Sequence, residues 1–324
     1  KGYMSALAIL LSARPKRAKT STMLAAFPNG LFVGRPSSIR EIAQGELGFE
    51  PNVVDESLRT LPDLKACLDA WVSDGTIKQF DALVIDDWSL LAKASMNEWE
   101  QEEQKKADKA KRGTDVRALY RNYEFHQSHA ISTCVNLGMH FGMVCHEREP
   151  SDGRPGIPDV PSANQGKNMP AWFDIVARVI SDKDMLDPWL PLALYADPFD
   201  DNYVTSDRTG VIRPRAPLNL REVLRAKRQP EVLSRLPGLE WQEDIASKVA
   251  EAIVGGADAM QTLAGVWGGT VPLEMRSAED CHLRWACQDG IARATLELRK
   301  RRLLSSTAAE VSVSTTPPLP KKRG

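Results

Sequence analysis

Residues 6–11, ALAILL, form an unbroken apolar run of strand length, and the chain turns basic directly after it in SARPKRAKTST, residues 12–22. A run without polar alternation suits a strand covered on both faces, as in a parallel sheet. The turn that follows is spaced like the phosphate-binding pattern G-x-x-x-x-G-K-[ST]. Ala13 and Ala18 stand at the two glycine positions, and Lys19 and Thr20 close the pattern. Such a loop needs a sharp exit from a strand, backbone N–H groups aimed at phosphate, and a helix whose positive end faces the anion. Ala13, Arg14, Pro15, Lys16, Arg17, Ala18, Lys19, Thr20 and Ser21 supply that context in order. Alanine at 13 is a mild change. Alanine at 18 takes a position that glycine tolerates best, and a left-handed alanine costs roughly 1–2 kcal/mol. The competing reading of the stretch is a basic surface turn behind a buried strand.

A second feature bears on the choice. In FDALVIDDWSLL, residues 82–85 read as a buried strand that ends in Asp86 and Asp87. A carboxylate at such a strand end can hold the water shell of Mg²⁺ beside a phosphate. Asp87 can equally cap a helix that begins at 88–89.

The 324 residues are 42% hydrophobic and 26% charged, the make-up of a globular protein with one large domain or two smaller ones. No run of apolar residues is long enough to span a bilayer, so no membrane association is expected. A net charge of −1 does not announce a nucleic-acid binder, although basic clusters occur at 14–19, 221–228, 299–302 and 321–323. Five cysteines without C-x-x-C spacing fit a reducing cytoplasm, with neither a disulfide framework nor a zinc knuckle. His126 and His129 lie one helical turn apart without a third ligand and read as a solvated helix face.

Along the chain, the patterning predicts helices over 19–27, 60–72, 96–112 and 116–137. It predicts strands over 30–34, 141–145, 173–180, 190–195 and 203–205. The segment 150–170, rich in Pro, Gly, Asp and Asn, reads as a mobile loop. Asn219 can cap a helix running to about 227. Beyond 230 only helices are expected, over 241–254 and 278–303, the latter with Ser277 and Asp280 as a capping box. Trp241, Trp267 and Trp285 read as core residues of those helices. The expected organisation is a mostly parallel α/β sheet over 1–228, a helical C-terminal domain over 229–304, and a disordered basic tail over 305–324.

Five stretches carry a resemblance: ARPKRAKTSTMLAAFPNGLFVGRP, FDALVIDDWSLLA, GMVCHEREP, DIVARV and YVTSDRTGVIRPRAPLNLREVLRA. In this order, over about residues 4–228, they resemble the RecA-like ATPases of bacteriophages, a group that includes phage single-strand annealing and recombination ATPases. The resemblance implies a RecA-like P-loop NTPase core that binds ATP and Mg²⁺. Lys19 would contact the β- and γ-phosphates, and Thr20 and Asp86 would hold Mg²⁺, with Asp87 beside them. His146 and Glu147 match a polar sensor position. Arg208, in SDRTG, matches an arginine that related ring or filament ATPases point into a neighbour's site. Arg148, Arg154 and Lys167 fall in a segment that contacts DNA in related proteins, and would meet single-stranded DNA through phosphate charge. Self-assembly and phage or host replication and recombination partners are implied as well. One departure stands out: RecA carries a glutamate just after its second strand, where this chain has Gly34 and Arg35. The water-activating base would then be Asp87 or Glu147.

The expected function is ATP binding, with hydrolysis, in DNA recombination, single-strand annealing or replication, in the cytoplasm of the host cell. The alternative is a nucleotide-binding structural or adaptor protein that recruits a partner through its helical C-terminal module, which Ala18 and the missing glutamate favour. A metabolic kinase finds no lid or substrate signature.

Overall fold

The computed structural model describes residues 6–54, 58–151, 155–187, 189–212, 214–226, 241–272, 275 and 277–314. Strand β1 (Ala8–Ala13) is buried at every position, as its apolar run requires, and it feeds helix α1 (Lys19–Ala26). β2 (Leu31–Gly34) leads into α2 (Pro36–Ile42), a π-helical turn at Ala43–Leu47 and the two-residue β3 (Asn52–Val53). Helix α3 (Leu61–Asp74) starts at a capping box in which Thr60 and Asp63 satisfy each other's amides. β4 (Ala82–Asp86) runs directly into α4 (Trp88–Ala110), and α5 (Val116–Val135) returns beside it. β5 (His140–Arg148), β6 (Ile157–Pro158), α6 (Ala163–Asn168), β7 (Ile175–Ser181) and β8 (Leu192–Tyr195) follow. β9 (Ser206–Asp207), β10 (Arg215–Pro217) and α7 (Leu220–Ala226) complete the sheet region. Helices α8 (Trp241–Val254), α9 (Ala259–Val266) and α10 (Ala278–Ser314) close the chain.

The main sheet has the order β10-β8-β7-β1-β5-β4-β2-β3. The six strands from β7 to β3 pair in parallel, and β8 and β10 continue the sheet antiparallel. One strand, β5, separates β1 from β4. Both therefore end on the same carboxyl edge, about 10 Å apart at the strand spacing of a sheet. Ligands in open α/β sheets bind outside this edge.

One face of the sheet packs Met23 and Leu24 of α1, Phe27 just beyond it, Ile39 of α2 and Val223 of α7. The other packs Leu64 and Leu68 of α3, Trp88 and Trp99 of α4, and Tyr123 of α5. A third cluster gathers Val249 and Ile253 of α8, Leu263 of α9 and Ile291 of α10. Helix α10 also joins the first face, where Trp285 is 2% exposed and stacks on Phe49. The helical end is thus bolted to the sheet. A polar network adds to the bolt: Arg293 of α10 donates to Glu222 of α7 and Glu243 of α8 at 2.7–3.0 Å, and Arg225 reaches both carboxylates. Among the described residues no helix is long and apolar enough to cross a membrane.

Several expectations need correction. β5 runs on through Glu147 and Arg148 instead of stopping at Cys145, because β6 pairs with its last two residues. The segment expected as a mobile loop over 150–170 therefore holds β6, α6 and a 3₁₀ turn at Met169–Trp172. The strand expected at 203–205 lies at β9 instead; Tyr203 makes only an isolated bridge to Gly156. Helix α10 continues to Ser314, into the segment expected to be disordered, while 315–324 lie outside the described residues.

Candidate nucleotide-binding site

The turn leaving β1 is compact and closes on itself. Lys16 and Ala18 both have left-handed backbones, with φ of 60° and 53°. Ala18 thus takes up the conformation that its place in the glycine pattern demands. Its carbonyl accepts the first bond of α1 from Thr22, and no side chain caps the helix. The N–H groups of Lys19, Thr20 and Ser21 make no hydrogen bond to a described residue. Orphan amides at a helix start, backed by the helix dipole, form an anion site.

Lys19 is 6% exposed, and its ammonium donates to the carbonyls of Ala13 and Arg14 at 3.1 and 3.0 Å. Burial lowers its pKa, and the nearby Asp87 and Asp86 oppose that shift. Arg14, at the loop's exposed rim, pairs with Glu149 at 2.6 Å.

The acidic strand end meets the loop directly. Thr20 Oγ1 donates to Asp86 Oδ2 at 2.7 Å, so the two oxygens expected to share Mg²⁺ are already adjacent. Burial pushes Asp86 up to about 6, and Asp87 adds to the shift while Thr20 and Lys19 resist it. The donor set suits Mg²⁺, which takes one or two carboxylates and fills its remaining positions with water and phosphate oxygen. Asp87, joined to Asp86 by a cis peptide, does two jobs. Its Oδ1 accepts from Ser89 N at the start of α4, and its Oδ2 lies 2.6 Å from His146 Nε2. Burial raises the Asp87 pKa, against His146. His146 Nδ1 is buried with no partner.

Gly34 closes the opposite side. A Cβ there would lie 1.6 Å from the carbonyl oxygen of Asp86, so β2 can approach the end of β4 only without a side chain. The position next to the second strand's end therefore passes to Arg35, which lines the cleft.

The remaining candidates stand elsewhere. Glu147 is turned away from the cleft into a buried bidentate pair with Arg178, whose guanidinium covers the Tyr203 ring. Arg148 is held by Asp159 and the Val160 carbonyl. Lys167 is exposed on α6, and Arg154 lies outside the described residues. Arg208 follows β9 and binds the Ala171 carbonyl; its amide donates to Asp174, whose carboxylate accepts from Ala8 at the start of β1. It therefore sits at the amino ends of the strands, the pole opposite the loop. His126 and His129 pack against Trp99 and Phe125.

Loop and acids open into a cleft of about 1130 Å³. Its far wall was not foreseen: residues 185–187, residues 217–219 and α10, through Arg284, Trp285 and Gln288. No sequence pattern links α10 to a loop more than 250 residues earlier.

No protein-family model and no curated protein matches the chain. Among solved structures, it is similar to a KaiC-like protein from the hyperthermophilic archaeon Pyrococcus horikoshii, with 13% identity, over 60% of this chain and 78% of that one, at a TM-score of 0.34.

Proposed function

We propose that this chain is a RecA-like protein that binds ATP with Mg²⁺ at the β1–α1 loop and hydrolyses it, serving DNA recombination, single-strand annealing or replication in a phage system. One observation carries the reading: a loop with left-handed Ala18 and unpaired helix-start amides stands beside a Thr20–Asp86 contact. The strand order, with one strand between loop strand and acidic strand, and the motif order in the sequence support it.

In this reading the amides of residues 18–21 hold phosphate oxygens. Lys19 exchanges its two carbonyl partners for the terminal phosphates. Thr20 and Asp86 hold Mg²⁺, which supplies neutralisation of phosphate charge. Asp87 takes the proton of the attacking water, with His146 fixing its orientation; Glu147, committed to Arg178, positions the end of β5 instead. Arg208 would act on a neighbouring copy. Single-stranded DNA would meet exposed cations such as Lys167, with a salt-sensitive affinity.

The test is ATP binding and turnover by the purified chain, with and without single-stranded DNA, beside Lys19→Ala. Loss of both in the variant supports the assignment. Turnover that survives Lys19→Ala unchanged removes it. ATP binding without turnover, insensitive to DNA, favours the adaptor reading, in which α8–α10 recruit a partner.

A further inference from the structure

At about 1130 Å³ the cleft as a whole exceeds what a triphosphate and a metal require, and its far end is built differently. Past Ala25 of α1, its walls are Met185, Leu186 and Leu190 from the β7–β8 connection, Leu218, and Trp285 and Ile291 of α10. These are apolar surfaces, in contrast to the charged loop end. Polar groups stand among them, Asn219, Arg284 and Thr295 included. Trp285 stacks on Phe49 and carries the Arg221 guanidinium 5.4 Å from its ring centre, yet its Nε1 donor is buried without an acceptor. Gln288 donates to Asp187, a carboxylate that also accepts from the amides of Trp189 and Leu190. Burial raises the Asp187 pKa against those hydrogen bonds. An apolar slot with a donor, a carboxamide and a carboxylate at its edge has the composition of a small-molecule site that orients a flat heteroaromatic ring.

We propose that this end of the cleft is the nucleobase subsite, so that α10, from outside the sheet, completes the nucleotide site. The inference rests on the proposed phosphate site at β1–α1. Base and phosphates would then bridge two parts of the molecule: the triphosphate on the loop, the base against Trp285 and Gln288. Filling the slot would tighten α10 against α1, and the helical end would register whether nucleotide is bound.

The experiment compares ATP with inorganic triphosphate, each with Mg²⁺, by calorimetry on the full chain and on two variants. Gln288→Leu removes the carboxamide, and Ala25→Leu narrows the slot from the half-buried side of α1. Unchanged far-UV circular dichroism and melting qualify each variant, and either one suffices. The expected result is ATP binding at least tenfold tighter than triphosphate in the wild type. In the variants, ATP affinity falls roughly tenfold, as loss of one good hydrogen bond or its contact area would give, and triphosphate affinity stays unchanged. Equal affinity of ATP and triphosphate, or a variant that leaves ATP binding intact, overturns the base subsite while the phosphate site stands. Failure of both ligands to bind the wild type overturns the phosphate site and this inference together.

Discussion

At the scale of single residues, strain and buried charge mark the loop. Ala18 holds φ 53° with a methyl group, which costs roughly 1–2 kcal/mol. Ala18→Gly is expected to raise stability by about 1 kcal/mol in urea unfolding and to leave nucleotide affinity equal or better. Asp86 behaves in the opposite sense. Its carboxyl titrates at about 6 in the folded chain against 3.8 for an ordinary aspartate, so folding favours its protonated form. That contribution is complete below about pH 4 and is lost as pH rises through about 6. Asp86→Asn should therefore stabilise the apo protein at neutral pH while abolishing Mg²⁺-dependent nucleotide binding. In the wild type, Mg²⁺-dependent binding should weaken as pH falls below about 6, because proton and metal compete for one carboxylate. The choice of base is also decided at this scale. Asp87→Asn should lower turnover on the order of 10²-fold or more, and Glu147→Gln should lower it far less. The reverse ranking in single-turnover measurements would move the base to Glu147.

At the scale of elements, the ties between helices carry the energetics. Glu222 is 2% exposed and relies on Arg293 and Arg225 for its charge. Arg293→Ala should destabilise the chain by up to about 3 kcal/mol, since it leaves the buried Glu222 carboxylate to Arg225 alone. Burial alone would raise Glu243, but hydrogen bonds and charge from Arg293 and Arg225 bring it down to about 2 from 4.5. Its contribution is full above about 4.5 and is lost as pH falls toward 2, so Glu243→Gln should flatten urea stability across that acid range. Elements of this kind were unevenly legible. Apolar runs located β1, β2, β4 and β8 to within a few residues, because burial leaves little room for polar side chains, and β7 was located as well although Arg178 interrupts its run. The capping residues Asp87 and Asn219 marked helix starts correctly. The two-residue β3 and three-residue β10 were invisible, since strands that short carry no period and exist only through their partners. The same holds for the end of β5, where β6 decides that Glu147 and Arg148 are strand and not loop.

At the scale of the whole molecule, the helical end is not a detachable appendage. Trp285 belongs to the cluster on one face of the sheet, while Ile291 of the same helix anchors the third cluster. Thermal unfolding should therefore give one transition, coincident by far-UV circular dichroism and tryptophan fluorescence; two separated transitions would show α8–α10 to be an independent unit. The candidate site was half legible in the sequence. Loop and acids are local signals, with chemistry written into adjacent residues. The wall from α10 and the capture of Glu147 by Arg178 depend on strand order, which no single segment records. Arg208 and the phosphate loop stand far apart along the strands, the arginine at one pole and the loop at the other. Seating the arginine of one copy end-on against the loop of the next leaves the second copy's arginine pointing onward. Such a union, if Arg208 acts on a neighbouring copy as proposed, would have a direction and could not be satisfied by two copies related by a twofold axis. It would close into a circle or grow without limit, according to the rotation between successive members.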